Sequence, residues 1–221
     1  MLTSIILFSL SLIFSLIVKF VDVQSVGPDG SSVGLATLNS AVHSFLGVHP
    51  LAGTLTDIVA VLAFATVAGF AVYGLVSVVK QKGLKKLDRS FFALFGFYLL
   101  VAVVYIIFEK LALNFRPILI DSELEPSFPS SHTLFAVCLF SSADLMFSHL
   151  STNKKLKNLV SAASVILIAF MAFARLVSGV HWLTDILGGL LIGFTLVSVF
   201  RLALARVCPS KKDPVEALRS E

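Results

Sequence analysis

Residues Leu51 to Val79, LAGTLTDIVAVLAFATVAGFAVYGLVSVV, carry a single charged side chain, Asp57. An α-helix needs about 20 predominantly apolar residues to cross the hydrocarbon core of a bilayer, so this stretch reads as a spanning helix. Similar runs lie at Leu2 to Val21, Phe91 to Phe108, Thr133 to Phe147, Leu159 to Phe173 and Leu183 to Leu204. Of the 221 residues, 57% are hydrophobic and 14% charged, against roughly a quarter charged in a soluble domain. The fold class expected is all-α, a polytopic membrane protein built as a bundle of six transmembrane helices. The first connection, with its amphipathic-looking Val33 to Leu46, reads as an extracytoplasmic loop containing a short interfacial helix. The first run lacks a basic flank before it and a small-residue cleavage site after it, so it is read as a retained helix and not a signal peptide. Nothing marks a second domain: residues 1–207 read as one membrane domain and 208–221 as a short polar tail.

Charge orients the bundle. Lys80, Lys82, Lys85, Lys86 and Arg89 lie between the second and third runs, Lys154, Lys155 and Lys157 between the fourth and fifth, and Arg201, Arg206, Lys211, Lys212 and Arg219 at or beyond the end of the sixth. If six helices alternate, these 13 of the 17 basic residues share one side, which the positive-inside rule makes cytoplasmic, with both termini. The acidic residues Asp22, Asp29, Asp121, Glu123 and Glu125 fall on the other side. The net charge of +4 is thus accounted for by topology and calls for no nucleic-acid partner.

Four basic residues remain. Lys19 reads as a snorkelling side chain beside Asp22. Lys110, Arg116 and Arg175 belong to the extracytoplasmic ends of the third and fifth spans. The same end receives Pro129-Ser130-Ser131-His132, which opens the fourth span, and His181, which opens the sixth. If the residues after Val180 are helical, His181 and Asp185 share a helix face, and the carboxylate can hold one ring nitrogen while the other is free as a nucleophile. Guanidinium groups suit a phosphate, and a helix start with free N–H groups and a serine hydroxyl binds anions. Each cluster alone has a structural explanation: an interfacial arginine before a helix stop, a favourable helix start, a packing hydrogen bond. Their convergence on one end of the bundle points to a single site.

Lys110 followed by Arg116-Pro117, then Pro129-Ser130-Ser131-His132, then Ala174-Arg175-x5-His181-x3-Asp185 resemble, in order, the three motifs of the type 2 phosphatidic acid phosphatase family, the lipid phosphate phosphatases related to vanadium haloperoxidases. Three departures stand out. Five residues, where the family has six, separate Lys110 from Arg116, so Glu109 takes the place close to two helical turns before the arginine. Ser131 replaces a glycine, and Ala174 replaces a serine.

The resemblance implies a metal-independent hydrolase without a cofactor. Lys110, Arg116, Ser130, Ser131 and Arg175 would bind the phosphoryl group, His181 would attack phosphorus to form a phosphohistidine, Asp185 would support His181, and His132 would protonate the leaving oxygen and later activate water. The implied partner is a membrane lipid phosphate in the bilayer, acted on at the extracytoplasmic face of the cell membrane. The compact bacterial members of this kind make undecaprenyl diphosphate the first candidate substrate, with phosphatidylglycerophosphate and phosphatidic acid as alternatives. A non-catalytic lipid-phosphate binder or transporter would share the basic cluster but would not need two histidines and a partnered carboxylate, and the chain shows no inverted repeat of broken helices.

Other features read as structural. Cys138 and Cys208 lie too far apart for a disulfide. Gly189 and Gly193 give a small-residue face for helix packing. Trp182 reads as an interfacial marker. Asp57 and Asp144, both inside spans, call for polar partners that the sequence does not name.

Overall fold

The computed structural model describes residues 1–208, so all but the first residue of the expected 208–221 tail lies outside the described residues. Among them are seven α-helices: α1 (Leu2–Phe20), α2 (Ala36–Leu46), α3 (Pro50–Gln81), α4 (Arg89–Leu111), α5 (Ser131–Leu150), α6 (Lys154–Val177) and α7 (Leu183–Val207). All except α2 are long and apolar enough to cross a membrane, and each contains one of the six apolar runs almost entirely. Four helices begin outside their runs because start signals lie there. Pro50 occupies the first turn of α3, and Asp88, Ser130 and Asn153 cap α4, α5 and α6 through side-chain oxygens that accept from Ser90, Thr133 and Leu156 N–H groups. Such caps satisfy amide groups that a helix cannot pair internally.

The most buried spans are α5 and α7. They pack backbone to backbone because α7 presents glycines. A Cβ added at Gly193 would come within 2.8 Å of the Val137 side chain, and one at Gly189 within 3.0 Å of the Ser130 carbonyl oxygen. The small-residue face read from the sequence is therefore a helix contact. Helices α3 and α6 cover one side of this pair, and α1 and α4 pack on α7.

The first connection contains one short α-helix, α2, which starts at Ala36 and not at Val33. Asp22 binds the Thr37 N–H at its start (2.8 Å) and accepts from Gln24; these bonds, the Thr37 amide foremost, hold its carboxyl below the usual pKa. The helix is also tied inward. Asn39 donates to the Gly34 carbonyl and to Thr184 Oγ1 (2.8 and 2.9 Å) and accepts from the Thr184 N–H (3.2 Å). Asn114, after α4, accepts from Gly34 N–H at 2.8 Å and donates to Thr184 at 3.3 Å. Two buried asparagines thereby fix the start of α7, where His181 and Asp185 lie.

Two expectations need correction. Trp182 turns inward and does not present its ring to the surroundings: its indole N–H donates to the Phe115 carbonyl at 2.7 Å, and its ring packs on His43 with centroids 5.4 Å apart. Asp144 Oδ1 is buried and has no hydrogen-bond partner among the described residues. At the end of the bundle away from the site, His149 of α5 lies 3.2 Å from Asp88 and Cys208 Sγ 3.6 Å from the same carboxylate, so the α4 cap also ties the ends of α5 and α7.

Candidate active site

His181 occupies the short turn between α6 and α7 and is 2% exposed. It does not share a helix face with Asp185, because α7 starts only at Leu183. The carboxylate instead folds back over the helix start: Asp185 Oδ2 accepts from the Trp182 N–H at 2.9 Å and lies 3.4 Å from His181 Nδ1. A carboxylate at the third helical position suits the unpaired amides and positive end of the helix dipole. The spacing read from sequence thus brings the pair together through a capping fold.

On the other side of the ring, an Arg116 terminal nitrogen lies 3.3 Å from His181 Nε2 and 3.4 Å from the Val180 carbonyl oxygen. A guanidinium can only donate, so Nε2 presents its lone pair and the ring proton resides on Nδ1, facing Asp185. Burial, followed by the positive charge of Arg116 and Arg175, holds the His181 pKa well below its ordinary value. The imidazole is therefore neutral near pH 7, as a nitrogen nucleophile must be.

Arg116 is anchored from behind by Glu125. Its Nε lies 2.8 Å from Glu125 Oε2, and the two backbones pair through the Arg116 N–H and Glu125 carbonyl at 3.0 Å. In the sequence Glu125 is only a loop acid, because this pairing depends on how the α4–α5 connection folds back.

Arg175, 7% exposed, comes from the last turn of α6 and reaches α3. One terminal nitrogen donates to Thr56 Oγ1 at 3.1 Å and lies 3.6 Å from Asp57 Oδ1. His132, in the first turn of α5, turns Nε2 to the same Asp57 oxygen at 3.1 Å. Asp57 thus acquires the polar partners its place in a span called for. A sequence signal was available: Asp57 lies two turns from the start of its helix, at the end where His132 and Arg175 gather.

Arg116, Ser131 and His181 line one polar cavity of about 190 Å³, together with Tyr105, Phe108 and Glu109. Ser130 plays a different part. It is fully buried, its hydroxyl accepts from Thr133 N–H and Oγ1 (3.4 and 3.2 Å), and its N–H donates to the Asp185 carbonyl at 3.0 Å. It caps α5 and ties it to α7. Lys110 is exposed and does not line the cavity, whereas its neighbour Glu109 does. A rotation of about 100° per helical residue separates the two side chains.

The PAP2 superfamily model matches residues 90–207, which carry all three motifs and more than half of the chain. Phosphatidylglycerophosphatase B of Bacillus subtilis (strain 168) is 32% identical over 89 residues, 40% of this chain, and the match spans 43% of that protein's length. The crystal structure described as the first transmembrane PAP2 type phosphatidylglycerolphosphate phosphatase, from Bacillus subtilis, has the same fold: the TM-score is 0.66 at 18% identity, over 96% of this chain and 100% of that one. With six candidate spans, a polar site at one end of the bundle and this family match, the chain belongs to the PAP2 superfamily.

Proposed function

We propose that this protein is an integral-membrane lipid phosphatase that works through a phosphohistidine on His181. The observation that carries this reading is the line Arg116, His181, Asp185. It comprises a neutral imidazole with its lone pair turned to a phosphate-binding guanidinium at a polar cavity, and a buried carboxylate behind the other nitrogen.

In the reaction, Arg116 and Arg175 hold the phosphoryl oxygens, helped by the N–H groups at the start of α5 near Ser131 and His132, and offset the charge that spreads over them in the transition state. His181 Nε2 attacks phosphorus, the bond to the lipid oxygen breaks, and that oxygen takes a proton from the imidazolium form of His132. Water then attacks the phosphohistidine, gives its proton to His132 and frees phosphate. Asp185 stabilises the positive charge on His181 in the intermediate. Ser130 contributes by holding the α5 start in place. Lys110, exposed and outside the cavity lining, is left no direct role in holding the phosphoryl group. The two arginines supply the positive charge that a metal ion would otherwise bring.

Two apolar grooves support an amphiphilic substrate. One of about 310 Å³, between α3, α4 and α5, shares Tyr105 with the polar cavity. Another of about 450 Å³, between α1, α4 and α7, shares Phe108 with it. A phosphate in the cavity could thus keep its tail in apolar surroundings. The loop charges favour a cell-membrane protein with cytoplasmic termini and an extracytoplasmic site, and with α2 lying along that interface.

Phosphatidylglycerophosphate is the first substrate to test, because the curated relative bears that name. Undecaprenyl diphosphate is the second reading, favoured by the compact plan of the chain, followed by phosphatidic acid. Detergent-solubilised protein should release phosphate from at least one of the three, with vanadate inhibiting and chelators without effect, and His181→Ala should abolish release. Wild-type turnover by that variant would remove His181 as nucleophile; a wild type inactive on all three would favour a binder or transporter.

A further inference from the structure

Asp57 lies outside the three motifs, on a helix that contributes none of them, yet it touches two of their residues. Its Oδ1 is 3.1 Å from His132 Nε2 and 3.6 Å from an Arg175 terminal nitrogen. A carboxylate can only accept, so the proton on His132 sits at Nε2 and points at Asp57. His132 Nδ1 is buried and has no hydrogen-bond partner among the described residues. His132 is therefore oriented as His181 is, with one nitrogen turned to a carboxylate and the other left for chemistry.

An incidental contact would be a carboxylate resting against Arg175, where a phosphate oxygen would bind. Arg175, however, already has a closer acceptor in the adjacent Thr56, at 3.1 Å. That hydroxyl is itself fixed by donating to the Gly53 carbonyl at 2.6 Å. The shorter contact of Asp57 is with His132.

We propose that Asp57 is a positioning residue for His132. The couple orients the ring and stabilises its imidazolium, in which Nε2–H faces Asp57 and Nδ1–H gives its proton to the departing lipid oxygen; the neutral ring then recovers a proton at Nδ1 from water. Helix α3 then contributes a second carboxylate–histidine pair to the reaction, and Thr56 and Asp57 together organise the two motif residues that face α3. The inference rests on the phosphatase reading above.

The test uses leaving-group dependence, which a merely structural residue would not alter. A lipid alkoxide needs a proton as it leaves, whereas nitrophenolate leaves without one. With full-length protein in detergent, Asp57→Ala should lower kcat/KM on the lipid phosphate about 100-fold, within the range expected for general acid catalysis. The same variant should lose less than about 5-fold on p-nitrophenyl phosphate, since little acid catalysis is then at stake. Asp57→Asn keeps an acceptor oxygen and should fall between, and Asp57→Glu should recover part of the loss.

The Asp57 side chain is 64% exposed, so the variants should fold; vanadate inhibition at the wild-type concentration checks this, and near-isosteric Asp57→Asn carries the test if Asp57→Ala fails it. Equal losses on both substrates, a loss confined to KM, or no loss would overturn the proposal. A wild type inactive on every lipid phosphate would instead overturn the phosphatase reading.

Discussion

The guanidinium of Arg116 donates to His181 Nε2 across 3.3 Å, and Glu125 holds that guanidinium from the far side at 2.8 Å. The arginine is thus fixed between a carboxylate and the nitrogen proposed to attack phosphorus. Arg116→Lys keeps the charge but loses the planar fork that reaches His181 and Glu125 together. We expect kcat/KM for the lipid phosphate to fall about 100-fold or more, as when one preorganised donor to a transition-state oxyanion is removed. Glu125→Gln should give a smaller loss, because the backbone pairing of the two residues survives. Steady-state kinetics on both variants check the order; a Glu125→Gln loss exceeding that of Arg116→Lys would contradict it.

Asp185 is fully buried, accepts the Trp182 N–H and faces His181 Nδ1. Asp185→Asn removes the charge that favours a proton on Nδ1 and the cation formed on phosphorylation, so the phosphoenzyme should form 10²- to 10⁴-fold more slowly, on the order seen when an orienting carboxylate is neutralised beside a catalytic histidine. Rapid quench with radiolabelled substrate reads this directly, since a phosphohistidine is acid-labile and stable to base. Wild-type phosphorylation rates in the variant would reduce Asp185 to a helix cap.

The depressed pKa of His181, caused first by burial and then by Arg116 and Arg175, also couples its protonation to folding. In the unfolded chain this histidine titrates near its ordinary value of about 6.5. Below that pH the unfolded state binds a proton that the folded state refuses, so the contribution of His181 to stability is present above the unfolded pKa and is lost as pH falls. Melting of detergent-solubilised wild type between pH 7 and pH 5 should therefore show a larger drop in Tm than that of His181→Gln, which lacks the group. Equal drops would show that the buried ring titrates normally.

The six spans were legible because apolar run length depends on local sequence alone, and their true ends follow from Pro50, Asp88, Ser130 and Asn153, whose capping chemistry is equally local. The gathering of Arg116, His132, Arg175 and His181 was legible for a different reason: alternating spans force their loops to one end. Pairings between distant segments were not legible. Glu125 with Arg116, Asp57 with His132, and the two asparagines that fix Thr184 depend on how loops fold and how helices rotate about their axes. Trp182 looked interfacial because an aromatic at a helix start usually is; a carbonyl from the α4–α5 connection, Phe115, draws it inward. Helix rotation also decides Lys110, where one residue's difference puts Glu109 at the cavity.

The contact between α5 and α7 makes a prediction about stability that is independent of catalysis. Gly193 faces Val137 so closely that a Cβ would sit 2.8 Å from two of its side-chain atoms, both on the branched part of a stiff residue. Gly69, on α3, has nothing within 4 Å of its ideal Cβ. The same substitution should therefore act oppositely at the two sites. Gly69→Ala relieves the entropic cost of glycine in a helix, worth up to about 1 kcal/mol, and should leave Tm unchanged or raised. Gly193→Ala must push apart the two most buried helices or force Val137 from its rotamer, at about 1–3 kcal/mol. Because α5 carries His132 and α7 carries Asp185, the displacement should also lower kcat, while Gly69→Ala keeps wild-type turnover. Thermal unfolding and phosphate release measured on both variants check this, and a Gly193→Ala protein as stable and active as wild type would show that α5 and α7 do not need the close approach.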